Sequence, residues 1–566
     1  MALIEVDNLI FTYPQAPRPA LDKVSLSVKA GEFVLLCGPA GSGKTTLLRL
    51  LKREISPHGK KTGRTLYGGQ PLEEVPTKQA AQEIGMVFQN PDTQIVLDTV
   101  IHELAFSMEN LGYETAVIRK RVAEVSGFFG IEELLDKSVH HISGGQKQII
   151  NLASVLMLQP KVLLLDEPTA QLDPVSAQEL LSMLKRLNQE LAMTIIISEH
   201  RLEALFPLAD RVVLLDQGCI RYHGPPRNVS YAVVNNHDRL FQKYLPSLAQ
   251  LKLQLQPESK PEDIPLDVKE ARSKLGSLFD RVANPKPSGQ AILTSATAKP
   301  TLPPLFQLKE VFFRYRKDAP LVLKNLKLAI SAGDYLAVLG GNGAGKSTLL
   351  KLLAGLHKPQ RGQALYKGQR IDSIKPEKRF AQIGYLAQNP MLYFLFDHVG
   401  DELYQRAQKL QDQGVSVRSA EELVELFELG PLLDRHPYDL SGGEKQKLAL
   451  AIVLLSAPRV LLMDEPTKGL DPVAKEQLAK LLHKLRGDGL TIVMASHDVE
   501  FVAMSAASCA LLFDGAIACR TSPSAFFSQN YFYTTAINRA VRDWFPQAIV
   551  LKDVMSLWPK ASSILP

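Results

Sequence analysis

A chain of 566 residues is longer than one hydrophobic core usually organises, so two to four domains are expected, and two large ones are the simplest count. Its 45% hydrophobic and 22% charged residues exclude the disordered, collagen-like and coiled-coil classes, and a net charge of +6 is too dilute over this length to argue for a nucleic-acid partner. Cys37, Cys219, Cys509 and Cys519 show neither metal-ligand spacing nor disulfide density, which makes a reducing, cytoplasmic compartment the expectation. Met1 to Asp7 does not read as a signal peptide, and no apolar run approaches the roughly 20 residues that cross a bilayer, so membrane work is expected to need partner chains.

In chain order, Phe33-Val-Leu-Leu36 is a short buried-strand run. The loop Gly38-Pro39-Ala40-Gly41-Ser42-Gly43-Lys44-Thr45-Thr46 follows, and the leucines after Lys44 recur at helical spacing. Strand, glycine loop and helix form the context in which backbone N–H groups turn inward around phosphates and a helix N-terminus adds partial positive charge. Lys44 is expected to reach the outer phosphates, and the Thr45 hydroxyl to ligate Mg²⁺, which takes hard oxygen ligands. Val162-Leu-Leu-Leu-Asp166-Glu167 predicts a buried strand that ends in two acids. Asp166 suits Mg²⁺ held through water, and Glu167 suits the general base that activates the attacking water. Without the glycine loop, such a pair would more often be a helix cap. His200 follows the apolar run Ile195-Ile-Ile and is expected to touch the γ-phosphate.

Residues 257 to 304 are rich in proline, serine and charge, so a linker is expected within 241–305, with Val268 to Val282 reading as a helical run inside it. The same ordered motifs then return about 300 residues later, which only a duplicated domain does. Gly340-Gly341-Asn342-Gly343-Ala344-Gly345-Lys346-Ser347-Thr348 follows Tyr335-Leu-Ala-Val338. Asp464-Glu465 ends Val460-Leu-Leu-Met463, and His497 follows Ile492 to Ser496. Ser347 and Asp464 repeat the Mg²⁺ expectation, while Glu465 and His497 repeat the catalytic one. The expected layout is α/β, with domains at 1–240 and 306–535 and a tail at 536–566.

Ser143-Gly144-Gly145-Gln146 and Ser441-Gly442-Gly443-Glu444 open predicted helices and resemble the ATP-binding-cassette (ABC) signature, which separates cassettes from other phosphate-loop enzymes. The resemblance implies two tandem ABC ATPase domains, each a RecA-like core with a helical signature subdomain. It also implies an intramolecular pair in which the signature of one copy clamps the ATP held by the other. It suggests Tyr13 and Tyr315 as aromatic platforms for adenine, with strand packing an equal alternative. Gln89 and Gln388 match the glutamine loop that senses Mg²⁺ and the attacking water and links the site to a membrane partner.

The stretch Gln89-Asn-Pro-Asp-Thr-Gln-Ile, followed by Asp98-Thr-Val and Glu103-Leu-Ala-Phe, resembles energy-coupling factor importer ATPases of the cobalt and vitamin type. That implies ATP and Mg²⁺ as cofactors and a seat on the cytoplasmic face of the membrane. The implied partners are a transmembrane coupling protein and a substrate-binding membrane protein, with no nucleic acid. A vitamin or vitamin precursor stands ahead of cobalt or nickel as cargo. A ribosome-acting soluble tandem cassette and a sugar-importer ATPase are the alternatives. The first usually has a long charged helical linker and the second often one degenerate half, neither of which fits this sequence. Ile142, Glu444 and Gln171 depart from the family pattern without removing a catalytic group, and in the second copy Met391-Leu-Tyr-Phe-Leu-Phe396 replaces the polar continuation of the glutamine loop. This apolar run is expected either in the core or at a partner contact.

Overall fold

A computed structural model describes residues 2–558 except 15, 171 and 283–302. Gln171, residues 283–302 of the expected linker and 559–566 of the expected tail thus lie outside the described residues. The chain divides into two compact units, Met1–Leu275 and Gly276–Pro566.

In the first unit, β1 (Ala2–Thr12), β2 (Leu21–Lys29), β3 (Phe33–Cys37), β4 (Lys60–Tyr67), β5 (Gln70–Pro71) and β6 (Ile84–Val87) precede β7 (Val162–Asp166), β8 (Thr194–Ser198), β9 (Arg211–Asp216) and β10 (Cys219–Gly224). An antiparallel sheet runs β2-β1-β4-β5, and a six-stranded sheet runs β10-β9-β3-β8-β7-β6. Burial alternates along β2, as it does on a strand with one solvated face, whereas every residue of β3, β7 and β8 is buried. These three neighbours are parallel, and Leu36 and Asp166 both pair with Ser198. Their C-terminal ends therefore lie side by side, at the edge where open α/β sheets bind ligands. The helices Val100–Asn110, Thr115–Phe129 and Gly144–Leu156 pack on one another as a separate helical layer.

The second unit repeats this plan with β11 (Phe306–Phe313), β12 (Leu323–Ile330), β13 (Tyr335–Leu339), β14 (Arg361–Tyr366), β15 (Gln369–Arg370), β16 (Ile383–Leu386), β17 (Val460–Asp464), β18 (Thr491–Ala495), β19 (Ser508–Phe513) and β20 (Ala516–Thr521). Its sheets run β12-β11-β14-β15 and β16-β17-β18-β13-β19-β20. Its helical layer comprises Val399–Asp412, Ala420–Leu426 and Gly442–Leu454.

Each unit carries further helices after its last strand. In the first, Ala249 and Leu253 of helix Ser247–Leu255 pack with Ile264 within the expected linker span. In the second, Phe279 sets its ring against Trp544, Phe545 and Trp558, so aromatic packing holds the residues expected to form a tail. The same device fixes both additions. Glu203, three residues after His200, accepts a hydrogen bond from the Ser247 amide at 2.6 Å, and Glu500, three after His497, accepts one from the Ala536 amide at 2.8 Å. Each carboxylate meets the exposed donors of a helix N-terminus, the end that favours negative charge.

Candidate active sites in the two units

The glycine loop Gly38–Gly43 joins β3 to helix Lys44–Leu50. Gly38 has φ +143°, and a Cβ there would lie 2.0 Å from the Leu215 carbonyl oxygen, so glycine is sterically required. Gly340 repeats this with φ +156° and a would-be Cβ 2.3 Å from the Leu512 oxygen. The Lys44 ammonium donates to the Gly38 and Pro39 carbonyls at 2.8 and 2.9 Å, and Lys346 donates to Gly340 and Gly341 at 2.9 and 3.0 Å. Both cations are thus held within their own loops rather than drawn into the sheet. Ser42 Oγ is buried there with no hydrogen-bond partner among the described residues, a donor suited to an anion in the loop.

The acids at the end of β7 lie across from this loop. Asp166 accepts from Thr45 Oγ1 at 3.0 Å and from Ser198 Oγ at 2.8 Å. Burial pushes its carboxyl up, and the Ser198 bond works against that shift. Glu167 has φ +44° and Glu465 φ +51°, a left-handed conformation that costs a non-glycine residue free energy and recurs at functional positions. A backbone bond across to β8 holds Glu167, whose amide donates to the Ser198 carbonyl at 3.0 Å; Glu465 does the same to Ala495 at 2.9 Å.

The first unit brings its predicted catalytic groups together. Gln89 Nε2 donates to Glu167 Oε2 at 2.7 Å, and His200 Nε2 lies 2.9 Å from Glu167 Oε1. The second unit arranges the same residue types differently. His497 Nε2 is 2.9 Å from Lys346 Nζ and 3.3 Å from Glu465 Oε1, and Gln388 is exposed, as Gln89 is. An ammonium can only donate, so the Lys346 contact requires an unprotonated Nε2 on His497. Burial pushes the Glu465 carboxyl up to about 7, against the pull of Lys346.

Each signature serine caps a helix. Ser143 Oγ accepts from the Gln146 amide at 3.3 Å while Gln146 Oε1 accepts from the Ser143 amide at 2.9 Å. Glu444 makes the same pair with Ser441, at 2.8 and 3.3 Å, so this departure from the family pattern leaves the capping box intact.

Comparison with known proteins places this geometry. The family model described as "ABC transporter" matches residues 21–170 and 323–468, one span in each unit. The chain belongs to the ABC transporter family. An ABC transporter ATP-binding protein of Bacillus thuringiensis subsp. konkukian is 48% identical over 561 residues, 99% of each chain. The HMP/thiamine import ATP-binding protein YkoD of Bacillus subtilis is 31% identical over 532 residues, 93% of each. Among solved structures, a chain from Clostridium perfringens described as part of the ABC transporter complex cbiONQ is 32% identical, with 42% of this chain and 96% of that one covered and a TM-score of 0.38.

As a tandem ABC ATPase, the protein works on ATP with Mg²⁺, and the residues present fit the ion. Asp464 Oδ1 is buried with no hydrogen-bond partner among the described residues, and the Ser347 hydroxyl and Lys346 ammonium counter the upward push of burial on this carboxyl. The hydroxyls of Tyr13 and Tyr315 lie 3.1 and 2.9 Å from Thr46 Oγ1 and Thr348 Oγ1. Both tyrosines are thereby tied to the helix behind each loop.

Several site residues escaped sequence reasoning. Ser198 and Glu199 precede His200 but carry no pattern of their own. Gln94 braces the first glutamine loop, accepting from the Phe88 amide at 2.9 Å and donating to the Met86 carbonyl at 3.1 Å. The Tyr393 hydroxyl performs the same bridge in the second copy, from the Ala387 amide at 2.9 Å to the Tyr385 carbonyl at 2.7 Å. The repeat step relates the two positions, but amide and phenol share no motif.

The apolar run 391–396 divides between the core and the surface. Tyr393 and Phe394 pack inward, while Leu392 and Leu395 are 70% and 76% exposed. Buried Glu402 shapes the turn by accepting from the Leu395 and Phe396 amides, and buried Glu103 does so for Val96 and Leu97 at 2.9 and 2.8 Å, leaving Val96 64% exposed.

Proposed function

We propose that this chain is the ATP-hydrolysing, energy-coupling subunit of an importer of the energy-coupling factor type. It works at the cytoplasmic face of the membrane with a transmembrane coupling protein and a substrate-binding membrane protein. Its cargo is a vitamin or vitamin precursor ahead of cobalt or nickel. The observation that carries the reading is the end-to-end similarity to a protein named for HMP/thiamine import, 31% identical over 93% of both chains. No described helix is long and apolar enough to cross a membrane, and in this reading the transport path belongs to other chains.

Both cassettes act in this reading, because each holds a lysine in its glycine loop, an aspartate and glutamate at a strand end, and a histidine beside the glutamate. Thr45 with Asp166, and Ser347 with Asp464, would hold Mg²⁺, which when bound neutralises charge on the phosphate oxygens. Lys44 and Lys346 bind and orient the outer phosphates. Glu167 and Glu465 take the proton of the attacking water; the His200 ring steadies Glu167, the His497 backbone amide steadies Glu465, and both histidine rings meet the γ-phosphate.

The test is affinity capture of the tagged chain from detergent-solubilised membranes. Stoichiometric recovery of a multi-spanning protein together with a small membrane protein is the expected result; recovery of ribosomes in their place would overturn it. Val96 in the first unit, and Leu392 and Leu395 in the second, are exposed apolar side chains of the kind that marks a protein interaction surface, and in this reading each unit offers its own to the partner. Leu395→Asp is therefore expected to lower recovery of the multi-spanning protein about tenfold while ATP turnover of the isolated chain stays near wild type.

A further inference from the structure

Glu199 is 2% exposed, yet it is an acid on a loop, in a site where both catalytic acids are already accounted for. A buried carboxylate is retained only where donors meet it, and here they come from two loops at once. Oε1 accepts from the Thr169 amide at 2.7 Å and from Thr169 Oγ1 at 2.5 Å. Oε2 accepts from the His200 amide at 2.9 Å and the Arg201 amide at 3.4 Å. Thr169 lies two residues past Glu167, so a single side chain bridges the backbone that bears the general base and the backbone that bears the histidine. Its neighbours reinforce the bridge. Ser198 Oγ donates to Asp166 and accepts from the Glu167 amide at 3.2 Å, and Arg201 Nη2 donates to the Leu172 carbonyl at 2.5 Å.

The second unit offers a comparison in which both bridge positions differ, with Ala495 and Ser496 where the first unit has Ser198 and Glu199. Its residue at the Glu199 position is Ser496, whose hydroxyl accepts from the Asp498 amide at 3.0 Å and stays within its own loop, and there the histidine loop is joined instead to Glu465 itself, whose Oε2 accepts from the His497 amide at 3.1 Å. The histidine that follows rests against Lys346 at 2.9 Å and stands 3.3 Å from Glu465, whereas His200 sits 2.9 Å from Glu167. The presence of the bridging carboxylate thus goes with a histidine seated on the general base, and its absence with one leaning on the loop lysine.

We infer that Glu199 is a positioning residue of the first cassette, bracing the His200 loop against the Glu167 loop so that the imidazole is set on the catalytic carboxylate, and that this brace makes the two sites unequal. The inference rests on the reading of Glu167 and His200 as the working pair.

The experiment compares steady-state ATP turnover of the full-length wild type, Glu199→Ser, which installs the second unit's residue, Glu199→Gln, which keeps an acceptor for Thr169, and Glu167→Gln. Glu199→Ser is expected to lower kcat to about half or less with KM for ATP changed less than about twofold, and Glu199→Gln to fall between it and wild type, because misplacing a reacting group costs rate rather than ground-state binding. A merely structural role would lower Tm and the folded fraction but leave kcat per ATP-binding molecule unchanged. The inference is overturned if kcat per binding molecule stays at the wild-type value, or if KM rises in step with the loss of kcat. Should the serine variant fail to fold, the same two criteria apply to Glu199→Gln. Full turnover by Glu167→Gln would instead refute the working pair, separately from the Glu199 ratio.

Discussion

Glu167→Gln and Glu465→Gln will each cut steady-state kcat for ATP by half or more, and the double variant will lose about 10²- to 10⁴-fold, the range a positioned general base contributes. Glutamine keeps the size and one acceptor of glutamate, so the Gln89 and His200 contacts to Glu167 lose least while the proton acceptor is lost. Phosphate release under saturating ATP measures the effect, and ATP binding should persist in all three variants. Full turnover in either single variant would show that its cassette is not a working site. The two losses need not match. Glu167 is gripped by a glutamine and a histidine, whereas burial raises Glu465 to about 7 and its histidine is shared with Lys346.

Gly38→Ala is expected to be the most damaging single methyl group in the first cassette. The new Cβ would sit 2.0 Å from the Leu215 carbonyl oxygen, a backbone atom that no rotamer change can move, at a φ of +143° that a side chain resists. Relieving that overlap must shift either β9 or the loop that holds Lys44. A strained backbone position costs about 1–3 kcal/mol and overpacking a similar amount, so Tm should fall by several degrees and the Kd for ATP should rise about tenfold or more. Thermal melts with and without Mg-ATP measure both. Gly41→Ala is the companion control, since nothing lies within 4 Å of its would-be Cβ and only its φ of +76° opposes the change. An equal loss in both variants would mean that backbone conformation, not the contact with Leu215, is what the loop requires.

The sequence by itself determined the duplication and the α/β class, and it placed the glycine loops, the strand-end acids and the helix-opening serines on the elements that carry them. These properties are local: a glycine loop between a buried strand and a helix, two acids at a strand end, and a serine opening a helix each carry their conformation in adjacent residues. The capping boxes at Ser143 and Ser441 show this, because a glutamine in one and a glutamate in the other serve the same turn equally. What only the tertiary structure decided lies between segments distant in the chain. Ser198 meets Asp166, and Glu199 meets Thr169, because β8 enters the sheet between β3 and β7, an order that no local pattern states. The bridge made by Gln94 in one copy is made by the Tyr393 hydroxyl in the other, since a loop needs an acceptor and a donor at one place and not a particular residue. The run 391–396 is uniformly apolar in sequence but divided in space, because the carboxylate of Glu402 holds the turn that sends Phe394 inward and Leu395 outward. Motifs fix which groups each cassette contains, and the packing of strands and loops around them fixes which partner each group meets; two cassettes with the same motifs thereby hold their histidines differently.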